Sequence, residues 1–217
     1  MSTTIDHTGA QHGHDSHSST GAFVPLEYSD PDNAIKIFGF WLFLAADMVL
    51  FACLFATFIV LRTHIANGPD AQHLFDVKGF IEETFILLTS SFTGGMATFF
   101  MRHRRVKGTV AWLTVTALLG MAFVGLEITE FVHDVGIGAT MQTSAFLSAF
   151  FTLVGTHGLH VSIGIAWMIS IIVQLIRYGI TPATARKVFI VNLYWHFLDV
   201  VWVFIFTVVY IMGVIHA

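Results

Sequence analysis

Seven ionisable side chains stand within or at the edge of long apolar stretches of this 217-residue sequence: Asp47, Glu127, Glu130, His157, His160, His196 and Asp199. Carboxyls and imidazoles can pass protons, ligate haem iron, or hydrogen-bond between helices where water is scarce. In a bilayer core each charge costs on the order of 2.5–3.5 kcal/mol by insertion scales unless it is paired or wetted. Haem ligation needs two imidazoles at matched depth on different helices. Here His157 and His160 share one stretch and His196 lies well below both, so that chemistry is disfavoured. A proton relay and simple interhelical hydrogen bonding both stay open. Gly155 and Gly158 flank His157 and open room around it, and Ser91 and Gly95, like Ser90 and Gly94, stand four apart as in close helix contacts. Nothing in the chain resembles a phosphate loop, a nucleophile with its base, or a paired-carboxylate hydrolytic site.

The elements that position these groups follow from the distribution of charge. Apolar residues make up 55% of the chain and charged ones only 11%, with a net charge of −4. A soluble fold would carry about 25% charged residues, so an ordinary soluble enzyme is excluded, as is a basic nucleic-acid binder. The single cysteine, Cys53, excludes an internal disulfide framework and cysteine-rich metal sites. The charge-poor stretches predict an all-α integral membrane protein of five spans, about 37–62, 81–102, 109–132, 144–177 and 187–215. Backbone groups cannot bond to lipid, so the spans must be helices, and barrel-like alternation is missing.

Orientation follows from the basic residues. With the N-terminus cytoplasmic, Lys36, Arg102, Arg104, Arg105, Lys107, Arg177, Arg186 and Lys187 lie inside, and only Arg62 and Lys78 lie outside. Five spans then put the C-terminus in the periplasm. Counting about 1.5 Å per residue from the inner ends places Asp47 and Asp199 roughly 17–18 Å deep, and Glu127 and His157 roughly 27–28 Å deep. The expectation is that Glu127 approaches His157 and that both aspartates face protein. Residues 1–34, rich in Ser, Thr, Gly and His and free of Lys and Arg, read as a disordered, solvated cytoplasmic tail ahead of one membrane domain, 35–217. Its histidines, His7, His12, His14 and His17, offer only adventitious metal ligands. No internal repeat supports a stand-alone transporter or proton channel.

FFTLVGTHGLHV (Phe150 to Val161) and YWHFLDVVW (Tyr194 to Trp202) resemble the signatures of haem-copper oxidase subunit III. KIFGFWLFLAADMVLFA in the first span and GLEITEF (Gly125 to Phe131) are similar to further parts of that family. Within it, five spans preceded by a His-rich tail resemble the cytochrome o ubiquinol oxidase branch; the cytochrome c form usually has seven. The resemblance implies an accessory subunit without haem, copper or quinol of its own, beside a subunit I that holds the haems and copper. It implies subunits I, II and IV and membrane phospholipid as partners, with no nucleic acid and no small-molecule substrate on this chain. It implies a multi-pass location in a bacterial inner membrane and support of proton uptake. Its motif positions fall on Glu127, Glu130, Gly155, His157, Gly158, His160, Trp195, His196, Asp199 and Trp202. The acid on the first shared helix is Asp47, where the family often has Glu.

Overall fold

The computed structural model describes residues 25–29, 31–61, 77–136 and 144–211. Among these residues a 3-10 turn, Leu26–Tyr28, precedes five helices: α1 (Pro31–Leu61), α2 (Val77–Arg102), α3 (Val106–Gly136), α4 (Ala145–Tyr178) and α5 (Pro182–Ile205). A short π-helical turn, Phe206–Ile211, continues α5. All five helices are long and apolar enough to cross a membrane. The five helices overlap the five expected spans, of which residues 62 and 212–215 lie outside the described residues. α1 begins before residue 35, and Leu26–Tyr28 is structured as well, so order reaches into the segment expected as tail. The tail histidines and most of the loop expected between the first two spans lie outside the described residues.

Local chemistry explains the helix ends. Ser144 caps α4 by accepting the Leu147 N–H at 3.1 Å. α4 stops at Gly179, whose φ of 68° sends the chain out of the helix while its N–H bonds Leu175 O at 2.9 Å. α5 starts two residues later on a capping box between Thr181 and Thr184, with Pro182 in its first turn. The α2–α3 connection is tighter. Arg104, at φ 54°, takes the left-handed position usually given to glycine, and Arg105 N–H reaches back to Phe100 O at 3.0 Å. The Phe100 ring fills the space that a side chain at Gly108 would need, which lets the two helices pack closely just beyond the turn.

α2, α3, α4 and α5 close a ring in which each helix packs on the next, and α1 lies outside it against α4 and α5. α5 is therefore central: 61% of its most apolar stretch is buried, against 22% for α1. Leu113, Leu153, Met168, Trp195, Trp202 and Ile205 fill the middle of the ring. The outside is apolar as well, with Phe38, Phe85, Phe92, Val132 and Ile176 all exposed. Lipid tails satisfy such side chains as well as protein does, so helix association rests on close packing and interhelical hydrogen bonds.

Candidate functional site

The ring's polar contacts are concentrated on one face of α5 and rise toward α2 as a ladder. Asn192 donates through Nδ2 to Gly94 O and Thr98 Oγ1, both at 2.5 Å. The Trp195 indole N–H donates to Ser90 Oγ at 3.0 Å, and the Trp202 indole to Thr84 Oγ1 at 3.2 Å. Between these rungs His196 Nδ1 lies 2.7 Å from Ser91 Oγ and 3.9 Å from Asp199 Oδ2. The spacing of these groups by three and four residues puts them on adjoining faces of α5, and the antiparallel course of α2 supplies the matching acceptors. Close approach depends on small residues. A side chain at Gly94 would strike Asn192, one at Gly120 would strike Trp195, and Gly164 admits Tyr194 and Trp195.

Above the ladder, His157 is fully buried in an aromatic box. Trp202 lies 5.3 Å from its ring centre, Phe123 6.0 Å and Phe51 6.4 Å. Neither of its nitrogens has a hydrogen bond. Glu127 is buried nearby, but its carboxyl rests on the backbone of Gly158, filling the space a side chain there would take, and its Oε1 has no hydrogen bond. Glu127 thus lies against the residue next to His157, and no hydrogen bond to the His157 nitrogens joins them. Gly155 is less constrained: a side chain there would meet only Phe131, at 3.7 Å. Glu130 takes the corresponding space above Gly79.

A second polar pair, of buried Asp47 and half-buried His160, joins α1 to α4. His160 Nε2 lies 3.3 Å from Asp47 Oδ1, and its Nδ1 lies 2.7 Å from Thr156 O. A carbonyl only accepts, so Nδ1 carries a hydrogen. The contact with Asp47 is then attractive when one proton sits on either Nε2 or the carboxyl. A proton shared in this way would leave the pair without net charge, because aspartate with imidazolium and aspartic acid with imidazole are both neutral pairs. Both aspartates face protein, as expected; Asp47 and Asp199 are each 7% exposed.

Sequence reasoning missed several of these groups. Glu83 is 1% exposed and close enough to Glu127 and Glu130 to interact electrostatically. It falls within the expected span 81–102 but close to its edge, where a charge is unremarkable, and only the tertiary packing shows it buried. Asn192, Thr84 and the Thr93–Thr116 hydroxyl pair at 2.8 Å are uncharged and escape a search for charges. Glu27, fully buried, accepts from Arg102 Nη2 at 2.7 Å and so ties the 3-10 turn to the end of α2. Arg186 Nη1 likewise donates to Asn33 Oδ1, tying α1 to α5.

Comparison with known proteins meets this architecture at one point. Residues 31–214, from the first residue of α1 to beyond the π-helical turn, match the family described as cytochrome c oxidase subunit III. The chain belongs to that family. It is similar to the quinol oxidase subunit 3 of Bacillus spizizenii, 54% identical over 200 residues that cover 92% of this chain and 97% of the relative. The cytochrome bo(3) ubiquinol oxidase subunit 3 of Pseudomonas aeruginosa is 50% identical over 82% of this chain and 85% of its own. A cytochrome c oxidase subunit 3 from a Bacillus species is 47% identical over 83% of this chain and 87% of its own. This subunit III is thus a multi-pass membrane protein and an accessory component of a haem-copper oxidase, working beside other oxidase subunits. Among the described residues no group of three or more His, Cys, Asp or Glu is arranged to hold a metal ion.

Proposed function

We propose that this chain is the accessory third subunit of a haem-copper quinol oxidase in a bacterial inner membrane, with its N-terminus cytoplasmic and its C-terminus periplasmic. The observation that carries this reading is the near full-length match to a quinol oxidase subunit 3, which spans 97% of that relative. In the complex, subunit I would hold the haems and copper, reduce dioxygen to water and pump protons. This subunit would pack against subunit I, with subunits II and IV as further partners, and bind phospholipid along its apolar exterior. The orientation is supported by eight of the ten basic residues falling on one side of the five spans. Support of proton uptake would rest on the intramembrane groups Asp47, Glu127, Glu130, His157, His160, His196 and Asp199. Of these, the Asp47–His160 pair has the geometry best suited to hold a proton.

A cytochrome c oxidase is the alternative, favoured by the 47% identical relative of that name. Donor preference separates the two. The complex recovered in mild detergent through a tag on this chain should consume oxygen with a quinol and not with reduced cytochrome c. Turnover with cytochrome c alone would overturn the quinol assignment.

A further inference from the structure

α1 joins the rest of the bundle along a narrow line. Ile37, Leu44, Phe51 and Phe58 are buried one heptad apart, and Asn33 and Asp47 lie on the same line. That is the seam of a two-helix contact, about two residues in seven, and narrower than the face by which a helix usually joins a core. Around it α1 is apolar and exposed, as at Phe38, Leu42 and Val49. Lipid satisfies these side chains as well as protein does, so apolar burial does little to stop α1 rolling about its seam. Asp47 is sensitive to such a roll. A helix with its side chains is about 10–12 Å across, so a roll of about 30° carries a surface group through about 3 Å. Asp47 Oδ1 lies 3.3 Å from His160 Nε2, and a displacement of that size would part them.

A tie away from the seam opposes the roll. The 3-10 turn Leu26–Tyr28, just before α1 in the chain, forms a strap that packs on α5 near its start. Its backbone is closed by the Tyr28 N–H on Pro25 O at 2.9 Å, and the Ser29 hydroxyl donates to Leu26 O at 2.8 Å. The Tyr28 ring meets Phe189 of α5 edge-on, with centres 6.0 Å apart. Glu27 is fully buried, and its Oε1 accepts from Arg102 Nε at 3.1 Å and Nη2 at 2.7 Å. Arg102 ends α2, a helix with which α1 itself does not pack extensively. The strap therefore reaches past the seam to a separate support. Asn33, which accepts from Arg186, sits on the seam and offers rotation no lever arm. The Arg102 side chain stays 43% exposed whereas Glu27 meets no water, so the carboxyl depends on the guanidinium more than the reverse.

We infer that the strap is a clasp that sets the rotation of α1, and that Glu27 and Arg102 are positioning residues for the Asp47–His160 pair. The consequence for proton uptake rests on the role proposed above for that pair; the geometric claim stands apart from it.

The test uses the intact oxidase complex, with nitroxide labels on Cys53 of α1 and, through Leu88→Cys, on the exposed face of α2. Pulsed electron paramagnetic resonance reads the distance between them. Glu27→Lys sets two cations against each other and should move or split the distance distribution by about 3 Å. Arg102→Glu in the same chain exchanges the charges and should return it toward the original. Glu27→Ala, a milder release, should move a smaller fraction in the same direction. An unchanged distribution in both single variants, or a shift that the exchanged pair does not reverse, overturns the clasp. The second readout is protons pumped per electron and lifetime in turnover. One or both should fall in Glu27→Lys, with no further fall when Glu27→Lys is added to Asp47→Ala, because the clasp acts through Asp47. An equal further fall in that background overturns the positioning role. If Asp47→Ala itself changes neither quantity, the proton reading of the pair fails, while the distance measurement still decides the clasp.

Discussion

Gly94 and Gly95 are neighbours on α2, and the same substitution should act on them in opposite ways. A methyl group at Gly94 would lie 2.5 Å from Asn192 Oδ1, whereas one at Gly95 would meet nothing within 4 Å. Asn192 cannot simply swing aside, because its Nδ2 is held by Gly94 O and Thr98 Oγ1. Gly94→Ala therefore forces overpacking, about 1–3 kcal/mol. It also strains two interhelical hydrogen bonds, each worth about 0.6 kcal/mol on average in membrane proteins. The gain in helix propensity offsets about 1 kcal/mol of this. The expected net loss is about 1–3 kcal/mol. Gly95→Ala keeps only the propensity gain and should be neutral or stabilising by up to about 1 kcal/mol. Equilibrium unfolding of the detergent-solubilised chain by dodecyl sulfate, followed by tryptophan fluorescence, measures both. Gly94→Ala should unfold at a lower fraction of denaturing detergent. Asn192→Ala made in the Gly94→Ala background should cost less than it does alone, since it removes the clashing group. Equal effects of the two alanines, or strict additivity of Gly94→Ala with Asn192→Ala, would refute the account of α5 packing.

Three further outcomes follow from single contacts. Thr84→Val takes the acceptor from the buried Trp202 indole and should lower stability by about 1–2 kcal/mol in the same titration; Trp202→Phe in that background should add less than it does alone. Glu27→Ala leaves Arg102 hydrated, so global stability should change by less than about 1 kcal/mol. The strap should nonetheless open more often, and chymotryptic cutting at Tyr28 should speed up by as much as about fivefold, the effect of up to about 1 kcal/mol on a local equilibrium. Asp47→Ala removes the carboxyl that faces His160 and, in the assembled complex, should leave initial oxygen reduction largely intact. Protons pumped per electron should fall or inactivation during turnover should come sooner, and complete loss of oxygen reduction in an assembled complex would contradict this role.

The helices were legible in the sequence because the bilayer imposes one rule, a long apolar segment bounded by charge, and each of the five segments satisfies it. The burial of Asp47 and Asp199 was legible for the same reason: a carboxyl facing lipid is too costly. The partners of these groups were harder to read. Depth counting put Glu127 and His157 at one level but could not show that Gly158 leaves room for the Glu127 carboxyl on the helix backbone, beside His157. The pairing of Asp47 with His160 depends on α1 lying against α4, a tertiary fact that no spacing within either helix contains. Charge counting also passed over the uncharged rungs, Asn192, Ser90 and Thr84, which between them join α5 to α2. Glu27 escaped because it lies in the polar segment before the first span, where charge is ordinary. Only the fold brings it to Arg102.

The central claim is that this bundle serves a catalytic centre held by a neighbour. The most direct measurement is recovery of the tagged chain from native membranes in mild detergent, with identification of the proteins retained and an absorption spectrum of the product. A haem-copper subunit I should be present in about one copy per copy of this chain, with haem absorbance and quinol-driven oxygen consumption in the same fraction. Recovery of a folded chain with no haem-copper subunit would contradict the account.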